Sequence, residues 1–340
     1  MKTWQERALE LNQTGLRPSE VTKIIEKEFE CEGMYGRVYQ YIRRHGNKEP
    51  YNCNFDSTWD IGSLLGIPTP NNIISVDSGK RVAIQNQEPA EIKSKWTGTK
   101  TIKFAIIGDT QLGSKYTQLT YLHKFYDLCA EQGIKDIYHT GDITEGLKMR
   151  VGHEYELYAV SADDMLKDVI KNYPKRDGIT THFITGNHDA SIYKQVGYDI
   201  GAAIANYRSD MKYLGRDCAV VHLTPNCTLE LRHPWDGSSY ALSYKIQKMI
   251  ETMESDSKPN ILAVGHYHKA EYLFYRNIHA LQTGCFQGQT PFTRGKGISV
   301  HMGGWIVTIR VDEDGYIQGF APEFVPFYYS IKDDYKNFKD

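Results

Sequence analysis

Apolar residues recur at helical spacing in the first 46 residues, with polar and charged residues between them. This pattern predicts three short amphipathic helices. Gly15 ends the first, Pro18-Ser19 opens the second, and a turn at 31–33 leads into the third. The sequence therefore predicts a small three-helix domain over residues 1–46. Its repeating apolar positions are Trp4, Ala8, Leu11, Val21, Ile24, Ile25, Phe29, Met34, Val38 and Ile42.

The pattern changes between residues 47 and 98, where helical periodicity stops and Asn, Pro, Gly and Ser become frequent. Prolines in this stretch interrupt any long helix or central strand. We expect a linker over residues 47–98 with one or two short strands, such as Arg81–Ile84. The interrupting prolines are Pro50, Pro68, Pro70 and Pro89.

Strand-like apolar runs alternate with amphipathic helical runs after residue 98, and the C-terminal part continues mainly as strands. Such alternation predicts βαβ units and a largely parallel sheet. We expect an α/β domain over residues 99–330 and a C-terminal tail over residues 331–340. The predicted strands are Thr101–Ile107, Asp136–Thr140, Thr180–Thr185, Asn260–Val264, Ile278–Thr283, Ser299–Val311 and Tyr316–Phe320. The predicted helices are Leu119–Cys129, Tyr155–Tyr173, Val196–Tyr207 and Ser239–Met253.

Four of the predicted strands end in short motifs with potential metal ligands. In a parallel sheet, ligands gather beyond the carboxyl ends of the strands, so we expect these motifs to meet. A lone Gly-Asp is a common turn, but four such motifs, each behind a strand, rarely occur by chance. The motifs are Gly108-Asp109-Thr110-Gln111, Gly141-Asp142, Gly186-Asn187-His188-Asp189 and Gly265-His266-Tyr267-His268.

The Asp, Asn and His side chains of these motifs suit a two-metal site for phosphate-ester hydrolysis. In-line attack on a phosphodiester needs a hydroxide at neutral pH and positive charge on both the attacking and the leaving side. Two divalent ions roughly 3.5–4 Å apart provide both. One carboxylate has to bridge the ions, and Asp142 is the natural candidate because it follows its glycine alone.

The ordered motifs resemble those of the calcineurin-like metallophosphoesterase superfamily, over roughly residues 101–325. The resemblance implies a four-layer αββα sandwich and phosphoester hydrolysis by a metal-bound hydroxide. It also implies that His188 acts on the leaving group or the transition state, with Asp189 orienting it. The implied ligands are Asp109, Gln111, Asp142 and His268 for one metal, and Asp142, Asn187, His266 and one further His for the second.

The further His is expected at a strand end between the third and fourth motifs. His233 follows the strand-like run 229–232 and fits that place. His222 is the competitor, but it lies inside an apolar run, where a His is more often a core residue with a satisfied ring. We therefore assign His233.

The first motif departs from the usual family pattern, Asp-x-His, because Gln111 stands at the third position. An amide oxygen is a harder ligand than imidazole and favours Mn, Mg or Fe over Zn. Some members that resemble Mn-dependent ADP-ribose/CDP-alcohol diphosphatases also carry Asp-x-Gln. We expect two divalent metal ions per chain, with Mn favoured and Fe, Mg or Zn as alternatives.

The N-terminal module, three short helices with a tight second turn, resembles a helix-turn-helix DNA-binding module. In such modules the third helix enters the major groove. No acidic residue occurs between Gly33 and Gly46. The alternative is a packing or oligomerisation module with a solvated basic edge. The candidate DNA contacts are Arg37, Gln40, Arg43 and Arg44.

Candidate substrate contacts come from segments beside the motifs. His153 lies in the loop after the second motif, and Tyr267 lies between two predicted ligands. An aromatic ring beside a phosphodiester site can stack on an unpaired base. Arg294 and Lys296 belong to a polar loop and could hold phosphate oxygens. The alternative for this loop is simple solvation, and for His153 a role without substrate contact.

Composition sets bounds on these hypotheses. The net charge of −2 gives no global nucleic-acid signal, so any such signal must be local. The N-terminus lacks the apolar region of a signal peptide, and no apolar stretch is long enough to span a membrane. Six scattered cysteines without a Cys-x-x-Cys pair predict reduced thiols in a cytoplasmic protein.

The leading hypothesis is a DNA-directed phosphodiesterase of the nuclease type, because the N-terminal module offers a means of holding DNA near the metals. The catalytic region also resembles metallophosphoesterases encoded by phages and prophages of Gram-positive bacteria. The alternative is a phosphodiesterase or pyrophosphatase acting on a small nucleotide, suggested by Gln111. A third hypothesis, a DNA-binding regulator that senses metal or nucleotide, is disfavoured by the nearly full ligand set.

Overall fold

The computed structural model describes residues 3–14, 16, 18–29, 37–38, 41–42, 90–93, 96–237, 239–254 and 258–339. The chain divides into two compact units, Met1–Ile73 and Ile74–Asp340. Each unit has a hydrophobic core of its own. Among the helices described in these ranges, none combines the length and the apolar character needed to cross a membrane.

The described residues of the N-terminal unit include the helices α1 (Trp4–Gln13) and α2 (Pro18–Glu28). The guanidinium of Arg7 on α1 binds the carboxylate of Glu28 on α2 at 2.9 Å, which joins the two helices. Their apolar faces pack together, as the helical spacing predicts. The core of this unit contains Ala8, Leu11, Val21, Ile25, Val38 and Ile42.

The predicted third helix lies largely outside the described residues. Arg37 and Val38, and one turn later Ile42, are helical; Arg37 is exposed, while the two apolar side chains are buried. The helix-turn-helix assignment therefore stays a prediction. The other predicted DNA contacts lie outside the described residues: Gln40, Arg43 and Arg44.

Two mixed six-stranded sheets form the second unit. From edge to edge, the first sheet contains β12 (Ile317–Pro326), β11 (Gly303–Val311), β2 (Thr101–Ile107), β3 (Asp136–His139), β4 (Thr180–Thr185) and β5 (Met211–Arg216). The second contains β1 (Ala90–Lys93), β6 (Cys218–Thr224), β7 (Cys227–Arg232), β8 (Ile261–Val264), β10 (Ile278–Thr283) and β9 (Ala270–Tyr275). Strands β2 to β5 run parallel, as do β7, β8 and β10. The carboxyl ends of the motif-bearing strands therefore share one end of each sheet.

The helices of this unit are α3 (Leu119–Glu131), α4 (Ala162–Asn172), α5 (Asn187–Val196), α6 (Ile200–Tyr207), α7 (Tyr244–Thr252) and α8 (Pro291–Gly295), with 3-10 turns at His153–Glu156 and Asp334–Phe338. Successive side chains of a strand point to opposite faces. On β2, Phe104 and Ile106 pack between the sheets, while Ala105 and Ile107 pack against helices. Because α7 covers the outer face of the second sheet, the predicted four-layer αββα sandwich is confirmed.

The second sheet includes residues that the sequence pattern assigned to the linker. Strand β1 pairs in parallel with β6, with Ala90 opposite Ala219 and Lys93 opposite His222. The α/β unit thus begins before residue 99. A four-residue edge strand with one β-branched apolar residue gives no periodic signal, which explains the difference. The predicted strand Arg81–Ile84 lies outside the described residues.

The segment predicted as a C-terminal tail packs against the α/β unit. Asp334 is fully buried, and its carboxylate accepts a hydrogen bond from the backbone N–H of Thr120 at 2.8 Å, at the start of α3. A carboxylate at a helix N-terminus is stabilised by the helix dipole. The ring of Tyr335 stacks on Tyr158 at 4.7 Å between centroids. These contacts make the tail part of the domain.

Candidate metal centre

Five strand ends bring the predicted ligands together at one end of the sandwich. Asp109 follows β2, Asp142 follows β3, Asn187 follows β4, His233 follows β7 and His266 follows β8. The backbone N–H of His266 donates a hydrogen bond to the carboxylate of Asp109 at 3.0 Å. Motifs from the two sheets are therefore in direct contact.

Five of the seven predicted ligands have a left-handed backbone, which is uncommon for residues other than glycine. The φ angles are 50° at Asp109, 51° at Gln111, 57° at Asp142, 78° at His266 and 54° at His268. Such conformations persist where the surroundings impose them, and they cluster at functional sites. Five of the ten left-handed non-glycine residues among those described are thus predicted metal ligands.

Two motif glycines allow the strand ends to approach each other. A Cβ on Gly186 would lie 2.3 Å from Oδ1 of Asp142 and 2.6 Å from the ring of His233. A Cβ on Gly141, whose φ is +96°, would lie 2.8 Å from Nδ1 of His233. Any other residue at either position would displace these side chains.

The carboxylate of Asp142 lies at the middle of the centre and is 1% exposed. Its Oδ1 accepts a hydrogen bond from the backbone N–H of His188 at 2.8 Å. Its Oδ2 lies 3.2 Å from Nε2 of His233 and accepts from Nε2 of Gln111 at 3.3 Å. One carboxylate oxygen therefore faces members of both predicted ligand sets.

Three donor atoms converge beside Asp142. Oδ1 of Asn187 lies 3.0 Å from Nε2 of His233 and 2.8 Å from Nδ1 of His266. Imidazole nitrogens and carboxylate or amide oxygens together suit Mn, Fe or Zn. These four side chains form a compact donor set for one divalent cation.

Backbone carbonyls determine which ring nitrogen faces the centre. Nδ1 of His233 lies 2.7 Å from the carbonyl oxygen of Thr140, and Nε2 of His266 lies 2.6 Å from that of Asp236. A carbonyl can only accept, so these two nitrogens donate their protons. The opposite nitrogen of each neutral ring is then free to bind a metal ion.

The second donor set surrounds Asp109, which is fully buried. Its Oδ1 lies 3.3 Å from Nε2 of His268. Oε1 of Gln111 and Nδ1 of His268 are buried and have no hydrogen-bond partner among the described residues. An unpartnered buried oxygen costs free energy, and a cation would satisfy it. The residues present therefore fit a divalent metal ion here as well.

The two buried carboxylates dominate the electrostatics. Burial lowers the pKa of His233, but the carboxylates of Asp142 and Asp109 outweigh it and raise that pKa to about 9. Burial lowers the pKa of His266 to about 4, and the charge on His233 adds to this effect. The centre thus attracts positive charge, which a proton supplies when no metal is bound.

His188 lies at the edge of this centre and lines the cleft above it. Its Nδ1 donates to the backbone carbonyl of Glu145 at 2.6 Å, which leaves Nε2 for other partners. The prediction that Asp189 orients His188 needs correction, because neighbouring helical residues point in different directions. The Asp189 carboxylate instead joins the second motif to the third. Its donors are the backbone N–H groups of Ile143, Thr144 and Gly186.

Glu145 is a site residue that sequence reasoning missed. Its carboxylate lies 3.0 Å from Nε2 of His153 and accepts a hydrogen bond from the amide of Gln287. The sequence feature that could have indicated it is its position, three residues after Asp142 at the end of a strand. Glu145 supports His188 through its backbone carbonyl and anchors the following loop through its carboxylate.

His153, a candidate substrate contact, is fully buried, which favours the alternative of a role without substrate contact. Its Nδ1 accepts from the backbone N–H of Met149 at 3.3 Å, and its Nε2 binds Glu145. Both ring nitrogens are therefore used within the protein. The loop around it is exposed at Val151 and Tyr155, but the His153 ring points into the protein.

The other predicted substrate contacts have different positions. Tyr267 is 5% exposed, and its hydroxyl donates to Asp236 at 2.6 Å, so its ring is a buried part of the wall and not a free stacking surface. Lys296 lines the cleft. Arg294 lies on α8 with its side chain exposed and does not line the cleft.

An open cleft of about 490 Å³ leads to the centre. Four predicted ligands and His188 line it, and further lining residues come from the segments 149–150 and 287–298. The volume is typical of a small-molecule site. Metal-ligand chemistry and access for a substrate thus occur together.

Comparison with known proteins identifies the domain. Residues 102–270 match the family of calcineurin-like phosphoesterases. The DNA polymerase II small subunit of Halobacterium salinarum is 23% identical over 239 residues, which cover 60% of this chain and 47% of that protein. The corresponding protein of Methanocaldococcus jannaschii is 23% identical over 287 residues, covering 70% and 46%. The chain thus spans about half the length of these curated relatives.

A hypothetical protein of Pyrococcus horikoshii with a known structure is 11% identical to this chain, with a TM-score of 0.40 over 70% of this chain and 92% of that one. The family assignment depends on the match over residues 102–270 and on the motifs that this range contains. Residues 102–270 of this chain form a domain of the calcineurin-like phosphoesterase superfamily, and this domain is that of a metal-dependent phosphoesterase.

Proposed function

We propose that this chain hydrolyses phosphodiester bonds in DNA with two divalent cations that share the carboxylate of Asp142. The observation that carries the proposal is the position of that carboxylate. One of its oxygens lies within 3.3 Å of both Gln111 and His233, which belong to different donor sets. The two sets are Asp109, Gln111, Asp142 and His268, and Asp142, Asn187, His233 and His266.

Two bound cations would activate water and neutralise the charge that develops on the phosphate. The amide oxygen of Gln111 favours Mn over Zn in the first set. The backbone carbonyls that fix His233 and His266 keep the rings oriented and so reduce the reorganisation needed when metal binds. The buried carboxylates of Asp109 and Asp142 would compensate the charge of the cations.

His188, when both of its ring nitrogens carry a proton, is suited to give the Nε2 proton to the leaving oxygen. Its Nδ1 proton is held by the carbonyl of Glu145 at 2.6 Å, so Nε2 is the nitrogen available to the cleft. Its backbone N–H meanwhile donates to Asp142 at 2.8 Å. This link fixes the backbone of His188 beside the shared carboxylate, while the Glu145 carbonyl orients its ring.

DNA is the favoured substrate for two reasons. The curated relatives of the chain are named DNA polymerase II small subunits. The exposed guanidinium of Arg37 belongs to the predicted helix-turn-helix module, which would hold DNA by contacts to phosphate. Lys296 adds a cation beside the cleft.

A second candidate function is hydrolysis of a small nucleotide ester or pyrophosphate. The cleft of about 490 Å³ supports it, because that volume accommodates a whole small ligand. Under this alternative the N-terminal unit would have a packing or oligomerisation role.

The test is a substrate screen of the purified full chain with added Mn. The panel contains single- and double-stranded DNA, RNA, cyclic nucleotides and nucleotide diphosphate esters. The proposal predicts the highest kcat/KM with DNA and loss of that activity in Asp142→Asn, which also controls for contaminating nucleases. Hydrolysis of a nucleotide diphosphate ester or cyclic nucleotide without DNA cleavage would favour the second candidate. Equal DNA cleavage by the variant would contradict the proposal.

A further inference from the structure

One wall of the cleft contains an aromatic ring backed by a cation. Phe292 lines the cleft and is 41% exposed, a large value for an apolar ring in a concave site. The guanidinium of Arg150 lies 4.3 Å from the centroid of this ring. A cation at this distance is attracted to the π face, so one face of the ring is covered and its orientation is fixed.

Arg150 is itself held in place and neutralised. Its guanidinium forms an ion pair with the carboxylate of Glu156, and the side chains are 20% and 11% exposed. Because this partner compensates its charge, Arg150 is a poor anchor for phosphate. Its guanidinium, which also lines the cleft, instead supports one face of the Phe292 ring and leaves the other face for a ligand.

The surroundings of Phe292 suit a planar, partly apolar group attached to a phosphate. Met149 and Ile298 line the same cleft and add apolar surface. Lys296 also lines it and has no ion pair within the described part of the chain, so its charge is available. The shared carboxylate of Asp142 lines the cleft as well, so the candidate metal centre and the ring of Phe292 face the same cavity.

We infer that Phe292, supported by Arg150, is a stacking platform for an unpaired nucleobase next to the scissile phosphate. The inference rests on the proposed function and makes it more specific: the substrate is a nucleotide whose base is not in a duplex. Each base has a π face, so such a platform accepts single strands and frayed or flipped ends without sequence preference. Duplex DNA cannot offer a base to Phe292 without unpairing it.

The test compares two small esters that differ in the base. Thymidine 5′-(p-nitrophenyl phosphate) carries a base, and methyl p-nitrophenyl phosphate does not; the ratio of their kcat/KM values reports base recognition. Stacking energies predict that Phe292→Ala lowers this ratio roughly 5- to 150-fold. Phe292→Trp, which keeps a platform, should retain the ratio of the wild type.

A matched control uses another exposed aromatic residue, Tyr316, which is 53% exposed. It follows β11, whose Arg310 pairs with Thr101 at the start of β2, so it lies at the end of the sheet opposite the motifs. Tyr316→Ala should keep the ratio. An equal fall of the ratio in this variant, or no fall in Phe292→Ala, would overturn the inference.

Two further measurements do not depend on the small esters. In Phe292→Trp, adding single-stranded oligothymidylate should quench the fluorescence of the new tryptophan, and no quenching beyond that of the wild type would count against stacking. The wild type should also cleave a single strand faster than the same sequence in a duplex, and equal rates would contradict the inference. If the wild type hydrolyses neither ester nor DNA, the proposed function fails, whereas turnover of both esters with an unaltered ratio in Phe292→Ala refutes the platform alone.

Discussion

The replacement Asp142→Asn tests the electrostatic basis of the metal centre. It keeps the size of a side chain that is 1% exposed, and an amide oxygen can still accept from the N–H of His188. It removes the negative charge that faces both donor sets. We therefore expect the fold to persist while metal binding weakens.

The pKa of His233 gives the magnitude. The two buried carboxylates raise that pKa from 6.5 to about 9 in spite of burial. The difference corresponds to about 3 kcal/mol of attraction for a single positive charge, at about 1.4 kcal/mol per pH unit. Asp142 contributes more of that shift than Asp109 does, and a divalent cation carries twice the charge of a proton, so losing Asp142 should cost a comparable amount. Mn binding should weaken at least about a hundredfold.

The assay is isothermal titration of metal-free protein with Mn, together with the Mn content after dialysis and the rate of phosphodiester hydrolysis. Asp168→Asn is the matched control, because this residue on α4 is 7% exposed and its carboxylate accepts from Asn172 at 2.7 Å, outside both donor sets. The control should bind Mn like the wild type. Unchanged Mn affinity in Asp142→Asn, with most of the hydrolysis retained, would refute the reasoning.

Four other predictions follow from particular residues. Gln111→His should shift metal preference toward Zn in competition titrations; an unchanged preference would remove this residue from the ligands. His188→Asn should lower kcat at least tenfold while two Mn ions per chain remain bound, and loss of a metal ion would contradict its assignment to proton transfer. Arg37→Ala with Arg44→Ala should flatten the plot of log DNA affinity against log salt by up to about 0.9 per lost phosphate contact, and an unaltered slope would favour the packing role. Burial raises the pKa of Cys129 from 9.0 to about 12. Its thiol should therefore resist alkylation at pH 8 until the protein unfolds, and rapid labelling of the folded protein would contradict this. Its contribution to the free energy of unfolding should be lost as the pH rises from 9 toward 12.

Local pattern was sufficient for the fold and for most of the centre. Strands β2, β4 and β10 have the predicted bounds, because buried strands with β-branched residues give a strong signal. The structure places His233 beside Asp142 and Asn187, and the assignment of His233 as a ligand stays a prediction. His222 lies within β6, away from the donor sets, whereas His233 immediately follows β7. A metal-ligating residue of this centre has to lie at the carboxyl end of a strand, and strand ends can be read from the local sequence pattern.

Long-range contacts explain what the sequence could not reveal. The predicted helix Tyr155–Tyr173 is interrupted, and α4 begins only at Ala162. The hydroxyl of Tyr158, which lies before the helix, donates a hydrogen bond to the carboxylate of Asp168 on α4. The role of Glu145 depends on Gln287, which lies 142 positions later in the chain. Asp and His tolerate a left-handed backbone better than most residues, but which of them adopts it depends on contacts between strand ends far apart in the sequence.

The central claim is that two cations share the carboxylate of Asp142. Anomalous diffraction at the Mn absorption edge, on crystals of the full chain grown with Mn, tests it most directly. The account predicts two anomalous peaks on either side of that carboxylate, one in contact with Asp109 and His268 and the other with Asn187 and His266. A single peak, or two peaks that do not share Asp142, would contradict it.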